Sequence, residues 1–112
     1  MNLQIRRIML FVNNIEKMTD FYENKIGLPV LLRDTGFVDF DAGSCRLALH
    51  GSRRVEPGAT KICFFAEDVS AARAELVARG VKMGKDPGLG DGLKLCNAKD
   101  PEGNIIQLSN RV

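Results

Sequence analysis

One pattern of strand and helix occurs twice in this chain, 54 residues apart. Apolar residues alternate at Ile8, Leu10 and Val12, which predicts a strand with one buried face. The same register returns later and pairs Ile8 with Ile62, Leu10 with Phe64, Val12 with Ala66, Asn14 with Asp68 and Ile15 with Val69. Because each copy is too small to cover its own sheet, the repeat predicts two similar modules that depend on each other.

Each predicted helix has a polar cap and a glycine stop. Asn13-Asn14 offers an N-cap before the first helix, and Asp68 offers one before the second. The first helix has an apolar stripe at spacings of three and four residues, formed by Ile15, Met18, Phe21, Tyr22 and Ile26. Gly27 and Gly80 follow the two helices and correspond to each other after a one-residue deletion, so both helices are predicted to end there.

Three short strands are predicted after each helix, separated by turns rich in glycine, aspartate and proline. They cover residues 30–33, 37–40 and 45–50 in the first module and residues 81–83, 93–97 and 104–109 in the second. The predicted fold class is α+β, with one domain of 112 residues made of two βαβββ modules. Module one covers about residues 1–52, a connector about 53–60, and module two about 61–112.

The composition argues against several functional classes. A net charge of +2 is too small to indicate binding to nucleic acid or to a membrane surface. No apolar run approaches the roughly 20 residues that span a bilayer, and residues 1–7 lack the apolar segment of a signal peptide. Cys45, Cys63 and Cys96 are odd in number and widely spaced, which argues against a disulfide scaffold and indicates a reducing cytoplasm.

Three motifs are characteristic in combination. They are Val12-Asn13-Asn14-Ile15, Asp20-Phe21-Tyr22 with Ile26-Gly27-Leu28, and Asp100-Pro101-Glu102-Gly103-Asn104. Together with the repeat, they make the chain resemble the vicinal oxygen chelate superfamily, which includes glyoxalase I, bleomycin-resistance proteins and extradiol dioxygenases. The resemblance covers essentially the whole length. It implies curled mixed sheets around a cleft, helices on the outer faces, and a homodimer.

Metal-dependent members of that superfamily build their site from four positions, two in each module. Carried over one by one, these positions fall on Arg7, Lys61 and Gln107, and on Ala48 if the hairpin alignment does not slip. Arginine has no acceptor atom, alanine offers no ligand, lysine is protonated, and glutamine supplies one neutral oxygen. We therefore expect neither a metal nor another cofactor.

Two residues and one loop leave alternatives open. A slip of two residues would bring His50 to the ligand position, although a histidine exposed at a strand end is the simpler interpretation. Cys63, beside Lys61, is either a reactive thiol or a small core residue. The loop 84–92 lacks the Gly-Lys-Ser/Thr ending of a phosphate-binding loop, and is either a flap over the cleft or a hairpin connection.

The residues predicted to face the cleft are mostly apolar, with two cations and one amide. They are Arg7, Met9, Phe11, Ala48, Lys61, Cys63, Phe65, Ile105 and Gln107. Such a surface suits a small anionic, partly apolar ligand. Our leading hypothesis is a metal-free binding protein resembling the bleomycin-resistance type, with no catalysis favoured. The alternatives are a glyoxalase-like lyase, epimerase or dioxygenase with an atypical metal site, a member acting through protein contacts, and cations that serve only solubility.

Overall fold

The alternating residues at the start of the chain form the first strand of the computed structural model, β1, Arg7–Val12. The structure describes residues 1–56, 58, 60–85 and 92–111, in two units, Met1–Val55 and Glu56–Val112. The other strands of the first unit are β2 Val30–Asp34, β3 Phe37–Asp41 and β4 Arg46–Gly51. They form one mixed sheet in the order β1-β4-β3-β2, in which β1 and β4 are parallel and the other neighbours antiparallel.

The first helix, α1, covers Ile15–Asp20 and begins at the predicted cap. The side chain of Asn14 accepts a hydrogen bond from the backbone N–H of Lys17 at 3.0 Å, which satisfies one of the free donors of the first turn. Met18 lies on the inner face of the helix and is fully buried. The cap and the apolar stripe therefore fix where this helix starts and which face meets the sheet.

A π-helical turn, Phe21–Ile26, continues α1. It ends at Gly27, as predicted, where φ is 93° and the backbone N–H bonds to the Tyr22 carbonyl at 3.1 Å. The wider turn places Phe21 and Tyr22 side by side in the core, and the Tyr22 ring lies 6.4 Å from that of Phe40. The apolar spacing predicts the helix but does not distinguish an α-helical from a π-helical turn.

The helical segment and one face of the first sheet share a core. The sheet residues buried there alternate along their strands and are Leu10, Val12, Val38, Phe40, Leu47 and Leu49. Because successive side chains of a strand point to opposite faces, the intervening residues form the other face of the sheet. That second face carries the predicted ligand residues of this unit.

The second unit has the same order of elements as the first, except that its described residues form two strands after the helix and not three. It contains β5 Lys61–Phe65, α2 Val69–Ala78, β6 Leu95–Lys99 and β7 Ile105–Ser109. The sheet order is β5-β7-β6, with β5 and β7 parallel and β6 and β7 antiparallel. Asp68 caps α2 as predicted. The predicted α+β class with mixed sheets is confirmed, and none of the described helices is long and apolar enough to cross a membrane.

The strand predicted at Val81–Met83 does not form, so that prediction is wrong. The backbone N–H of Val81 bonds to the Leu76 carbonyl at 2.9 Å, so this residue still closes the end of α2. Within the described residues, one backbone bond, from Gly84 N to Asn97 O at 2.7 Å, joins the segment to β6. A single bond of this kind does not make a ladder.

Strand β6 begins two residues later than predicted, at Leu95 rather than at position 93. Its last residue, Lys99, pairs with Ile105 and so closes the hairpin around the Asp-Pro-Glu-Gly turn. Residues 86–91 of the glycine-rich loop lie outside the described residues. The alternatives of a flap and a hairpin connection therefore remain predictions.

The last hairpin turn is built around the buried carboxylate of Asp100. Its Oδ1 accepts hydrogen bonds from the backbone N–H groups of Glu102 and Asn104, at 2.9 and 3.0 Å. Its Oδ2 accepts from the Asn104 side chain at 2.9 Å, and Gly103 adopts a φ of 86°. The motif is therefore a self-satisfied polar turn, in which aspartate and asparagine pair in the interior and glycine allows the reversal.

Candidate functional site

Strand register places the four predicted ligand residues of the first unit on one face of its sheet. The parallel ladder pairs Arg7 with Arg46, Met9 with Ala48 and Phe11 with His50. Neighbours that are in register point the same way, so these six residues share the face opposite α1. Ala48 is fully buried there, whereas the Phe11 side chain remains 53% exposed.

Asp39, which was not among the predicted site residues, lies at the centre of this face. The register of β3 with β4 sets it beside Ala48, and its side chain is 1% exposed. Its Oδ1 accepts from Arg7 Nε at 3.3 Å, and its Oδ2 accepts from Arg7 Nη2 at 3.0 Å. Arg46 Nη1 also donates to Oδ2, at 3.1 Å. One buried carboxylate therefore holds two guanidinium groups across three strands.

The ion pairs lower the pKa of Asp39 and raise the pKa of Arg7, so both groups are shifted toward their charged forms. The hydrogen bond from Arg7 is the largest cause of the lowered pKa of Asp39; burial opposes it, and Arg46 adds to the lowering. The same hydrogen bond, reinforced by the charge of the carboxylate, raises the pKa of Arg7 above its already high value. The lowered pKa keeps Asp39 charged at neutral pH. Because arginine side chains are protonated there, the cluster of two arginines and one aspartate keeps one net positive charge.

The register also decides the position of His50. The residue beside Met9 is Ala48 and not His50, so the two-residue slip does not occur. His50 lies one pair further along, where its ring meets Phe11 edge to face at 5.4 Å between centroids. Its Nδ1 lies 2.9 Å from the carbonyl oxygen of Gly51. His50 is therefore on the predicted ligand face, at the end away from Arg7.

The second unit presents the matching face of its own sheet. Lys61, Cys63 and Phe65 of β5 lie on one side, and Gln107 of β7 stands beside Cys63. The Cys63 thiol donates to Gln107 Oε1 at 3.7 Å, and Gln107 Nε2 donates to Asn97 Oδ1 at 3.0 Å. Phe65 is 59% exposed. The predicted residues of this unit thus share one face, with a polar row across its three strands.

The two registers show which residues are equivalent. Ala48 and Gln107 each stand beside the second outward residue of the first strand in their unit, so they correspond, as the sequence suggested. Asp39 beside Ala48 then corresponds to Asn97 beside Gln107. A neutral amide replaces the buried carboxylate. Among the described residues Lys61 accordingly forms no ion pair.

The residues predicted to occupy the superfamily's four metal positions do not suit a divalent ion. Arg7 and Lys61 bring positive charge, Ala48 has no donor atom, and Gln107 offers a single neutral oxygen. The nearby carboxylate of Asp39 already binds two guanidinium groups. Within the described ranges, no three His, Cys, Asp or Glu side chains are grouped so that they could hold a metal ion.

The sequence contains a signal for Asp39 that its strand pattern obscured. Asp39 is a charged residue between two buried apolar neighbours, Val38 and Phe40. A carboxylate inside a buried strand needs a partner, and arginine is the side chain best shaped for it. Arg46 and Asn97 carry weaker signals, because nothing local shows that they face the same way as the predicted site. Only the strand register identifies them.

Comparisons with known proteins agree on the family and on the fold. The sequence profile of the Glyoxalase/Bleomycin resistance protein/Dioxygenase superfamily matches residues 4–108. The antibiotic binding protein TnmS3 from Streptomyces sp. CB03234 has a similar structure, with a TM-score of 0.80 and 24% identity over 96% of this chain and 94% of that one. No protein of curated function matches the sequence.

Two further solved structures extend the likeness. A glyoxalase/bleomycin resistance protein/dioxygenase from Nocardioides has a TM-score of 0.81 and 19% identity, over 97% of this chain and 83% of its own. An integron cassette protein from V. cholerae has a TM-score of 0.77 and 24% identity, over 97% and 96%. At these identities the structures establish a shared fold.

Proposed function

The chain belongs to the Glyoxalase/Bleomycin resistance protein/Dioxygenase superfamily, and we propose that it binds a small anionic, partly apolar molecule without a metal ion. The proposed ligand residues are Arg7, Met9, Phe11, Ala48, Lys61, Cys63, Phe65 and Gln107. The observation that carries the proposal is the same succession on both ligand faces: a cation, then a sulfur side chain, then a phenylalanine. Each unit thus offers a charged end and an apolar end.

Arg7 suits anion recognition because it is already oriented. Asp39 engages its Nε and Nη2 atoms, while the side chain stays 40% exposed. A guanidinium group has five N–H donors in a fixed plane, so an acidic ligand still finds donors at Nη1. Because the group is held before the ligand arrives, less conformational entropy is lost on binding.

The exposed phenylalanines provide the surface that the apolar part of the ligand would contact. Phe11 and Phe65 lie on the edge strands β1 and β5, and both rings are more than half exposed. Covering roughly 100 Å² of such a surface contributes about 2.5 kcal/mol. TnmS3, a solved structure with the same fold, is an antibiotic-binding protein, which supports a small-molecule role for this chain.

Assembly and location are proposed on simpler grounds. Strands β1 and β2 are the edges of the first sheet, and β5 and β6 are those of the second. Exposed edges favour pairing with another chain, so we propose a homodimer, which sedimentation at micromolar concentration tests. The odd number and wide spacing of the three cysteines support a cytoplasmic location. We propose neither a nucleic-acid nor a membrane partner. We also propose that the chain is one domain, with module one at about residues 1–52, a connector at about 53–60 and module two at about 61–112.

A thermal-shift screen with carboxylic acids and their neutral amides tests the proposed function. Acids that stabilise the protein while their amides do not are the expected hits. Lys61→Gln and Arg7→Gln should each reduce the shift, and the matched surface variants Lys17→Gln and Arg33→Gln should not. If the double variant Arg7→Gln with Lys61→Gln binds the acidic hits as well as the native protein does, anion recognition is contradicted.

Elemental analysis distinguishes the proposed metal-free binding function from the rival function, a glyoxalase-like lyase, epimerase or dioxygenase. Protein purified without chelator is expected to contain no stoichiometric transition metal. A metal that is present at one equivalent and lost in Gln107→Ala would favour the enzyme and reject the metal-free proposal.

A further inference from the structure

A groove of about 550 Å³ opens at the end of the first sheet where β1 begins. Its charged lining consists of three arginines, Arg6, Arg7 and Arg46, and one carboxylate, Asp41. Cations therefore outnumber anions in the lining. Even after the buried Asp39 beneath Arg7 and Arg46 is included, the groove keeps a net positive charge.

Two of the three arginines of this groove, Arg7 and Arg46, are held in position by Asp39. Asp39 bonds to Nε and Nη2 of Arg7 and to Nη1 of Arg46. The backbone N–H of Arg46 bonds to the carbonyl of Arg6 at 2.8 Å, which ties the residue before β1 to the start of β4. Both paired side chains remain accessible, Arg7 at 40% and Arg46 at 51%. Because both side chains are already oriented, an anion that binds their remaining donors causes little further loss of side-chain entropy.

The carboxylate in the lining is turned toward its own loop. Asp41 Oδ1 accepts a hydrogen bond from the backbone N–H of Gly43 at 2.9 Å, in the turn between β3 and β4. Ser44 adds a hydroxyl group to the lining, and Leu31, 49% exposed, adds an apolar surface. The groove thus combines planar cationic donors, a hydroxyl group and a small apolar wall.

We propose that this groove binds a phosphate dianion, either free or as the head of a small phosphomonoester. Guanidinium groups bind phosphate oxygens through pairs of parallel hydrogen bonds, and a doubly charged ligand gains most from three cations in one groove. The proposal goes beyond the ligand-binding function above, because Arg6, Arg46 and Ser44 are not among its residues. Arg7 lies at the border of both sites.

Isothermal titration with inorganic phosphate and with phenyl phosphate, at constant ionic strength in chloride, tests the groove. Arg6→Gln and Arg46→Gln should each weaken phosphate binding about tenfold, the typical loss of a charge-assisted hydrogen bond. Asp41→Asn should strengthen it, because it removes the carboxylate of the lining. Weaker binding in an arginine variant could also result from partial unfolding. Stronger binding in Asp41→Asn could not, so this variant tests the groove independently of stability.

Two matched variants complete the experiment. Arg33→Gln removes an arginine of the same unit outside the groove, and Lys61→Gln removes a proposed ligand residue of the other unit. Both should bind phosphate like the native protein. If Arg6→Gln and Arg46→Gln bind phosphate unchanged, or if Arg33→Gln loses as much as they do, the groove is not a phosphate site. Loss of acid binding in Lys61→Gln with phosphate binding intact separates this result from the proposed function.

The two phosphate probes distinguish the sources of the anion. Tighter binding of phenyl phosphate, reduced again by Leu31→Ala, assigns the groove to a phosphomonoester whose organic part contacts Leu31. Equal affinity for the two probes assigns it to free phosphate.

Discussion

Arg7 and Asp39 form a two-point ion pair across the first sheet, with Nε 3.3 Å from Oδ1 and Nη2 3.0 Å from Oδ2. The aspartate is buried and the arginine is accessible, so the pair has an inner and an outer side. Arg46 binds the same carboxylate at 3.1 Å. This arrangement orients two cations on one sheet face, and it predicts what happens when the carboxylate is removed or protonated.

Asp39→Asn should lower the free energy of unfolding by about 1 to 2 kcal/mol, because it leaves two guanidinium groups around a neutral acceptor. The partly exposed arginines limit the loss, since solvent screens them. Urea denaturation followed by circular dichroism measures it. Asp41→Asn, an exposed change two residues away on the same strand, should stay within about 0.5 kcal/mol of the native protein. Equal effects of the two variants would contradict a special role for Asp39.

The lowered pKa of Asp39 gives this contribution a defined pH dependence. In the folded state the carboxyl titrates below its ordinary value of 3.8. The unfolded chain therefore takes up the proton first as the pH falls. The stability from the ion pairs is fully present above that value and is lost as the pH falls through the lower folded pKa.

The measurable result is the difference in unfolding free energy between the native protein and Asp39→Asn. It should be constant from about pH 5 to pH 8 and shrink below about pH 4. Other carboxylates titrate in both proteins and cancel in the difference. A difference that stays unchanged down to pH 2.5 would show that Asp39 does not contribute through its charge.

The sequence predicts the parts of the fold that local chemistry determines. Asn14 and Asp68 are polar caps at helix starts, and Gly27 and Gly80 have positive φ at helix ends. These features act within one turn of chain, so a single sequence reveals them. The strand missing at Val81–Met83 is different, because a strand exists only where another strand satisfies its backbone groups.

The candidate site divides in the same way. The residues at outward positions of β1 and β5, such as Arg7 and Lys61, follow from alternation alone. Their partners do not, because Asp39 and Arg46 reach Arg7 from strands whose register no local pattern states. The resemblance places Ala48 and Gln107 at corresponding positions if the hairpin alignment does not slip, and the ladders show that it does not. Sequence alone thus predicts where the face lies, and register shows how its charges are paired.

The turn of the last hairpin provides a prediction about stability. Asp100→Ala removes the acceptor of three hydrogen bonds, two of them buried, so the free energy of unfolding should fall by about 2 to 3 kcal/mol. Asp68→Ala, which removes an exposed helix cap, should cost about 1 kcal/mol. Chemical denaturation of both variants gives the comparison. If Asp100→Ala costs no more than Asp68→Ala, the buried turn network contributes no more than an ordinary cap.

Gln107→Glu tests whether charge governs recognition on the second face. The change keeps the size of the side chain but places a carboxylate beside Cys63, on the face that carries Lys61. We expect an acid found by screening to bind about tenfold more weakly, because like charges repel in a partly dry site. Its neutral amide should bind as before. Gln4→Glu makes the same chemical change at an exposed residue before β1 and should leave both affinities unchanged. Equal losses for acid and amide in Gln107→Glu would mean that Gln107 acts through its hydrogen bonds to Cys63 and Asn97, and that the face does not select for negative charge.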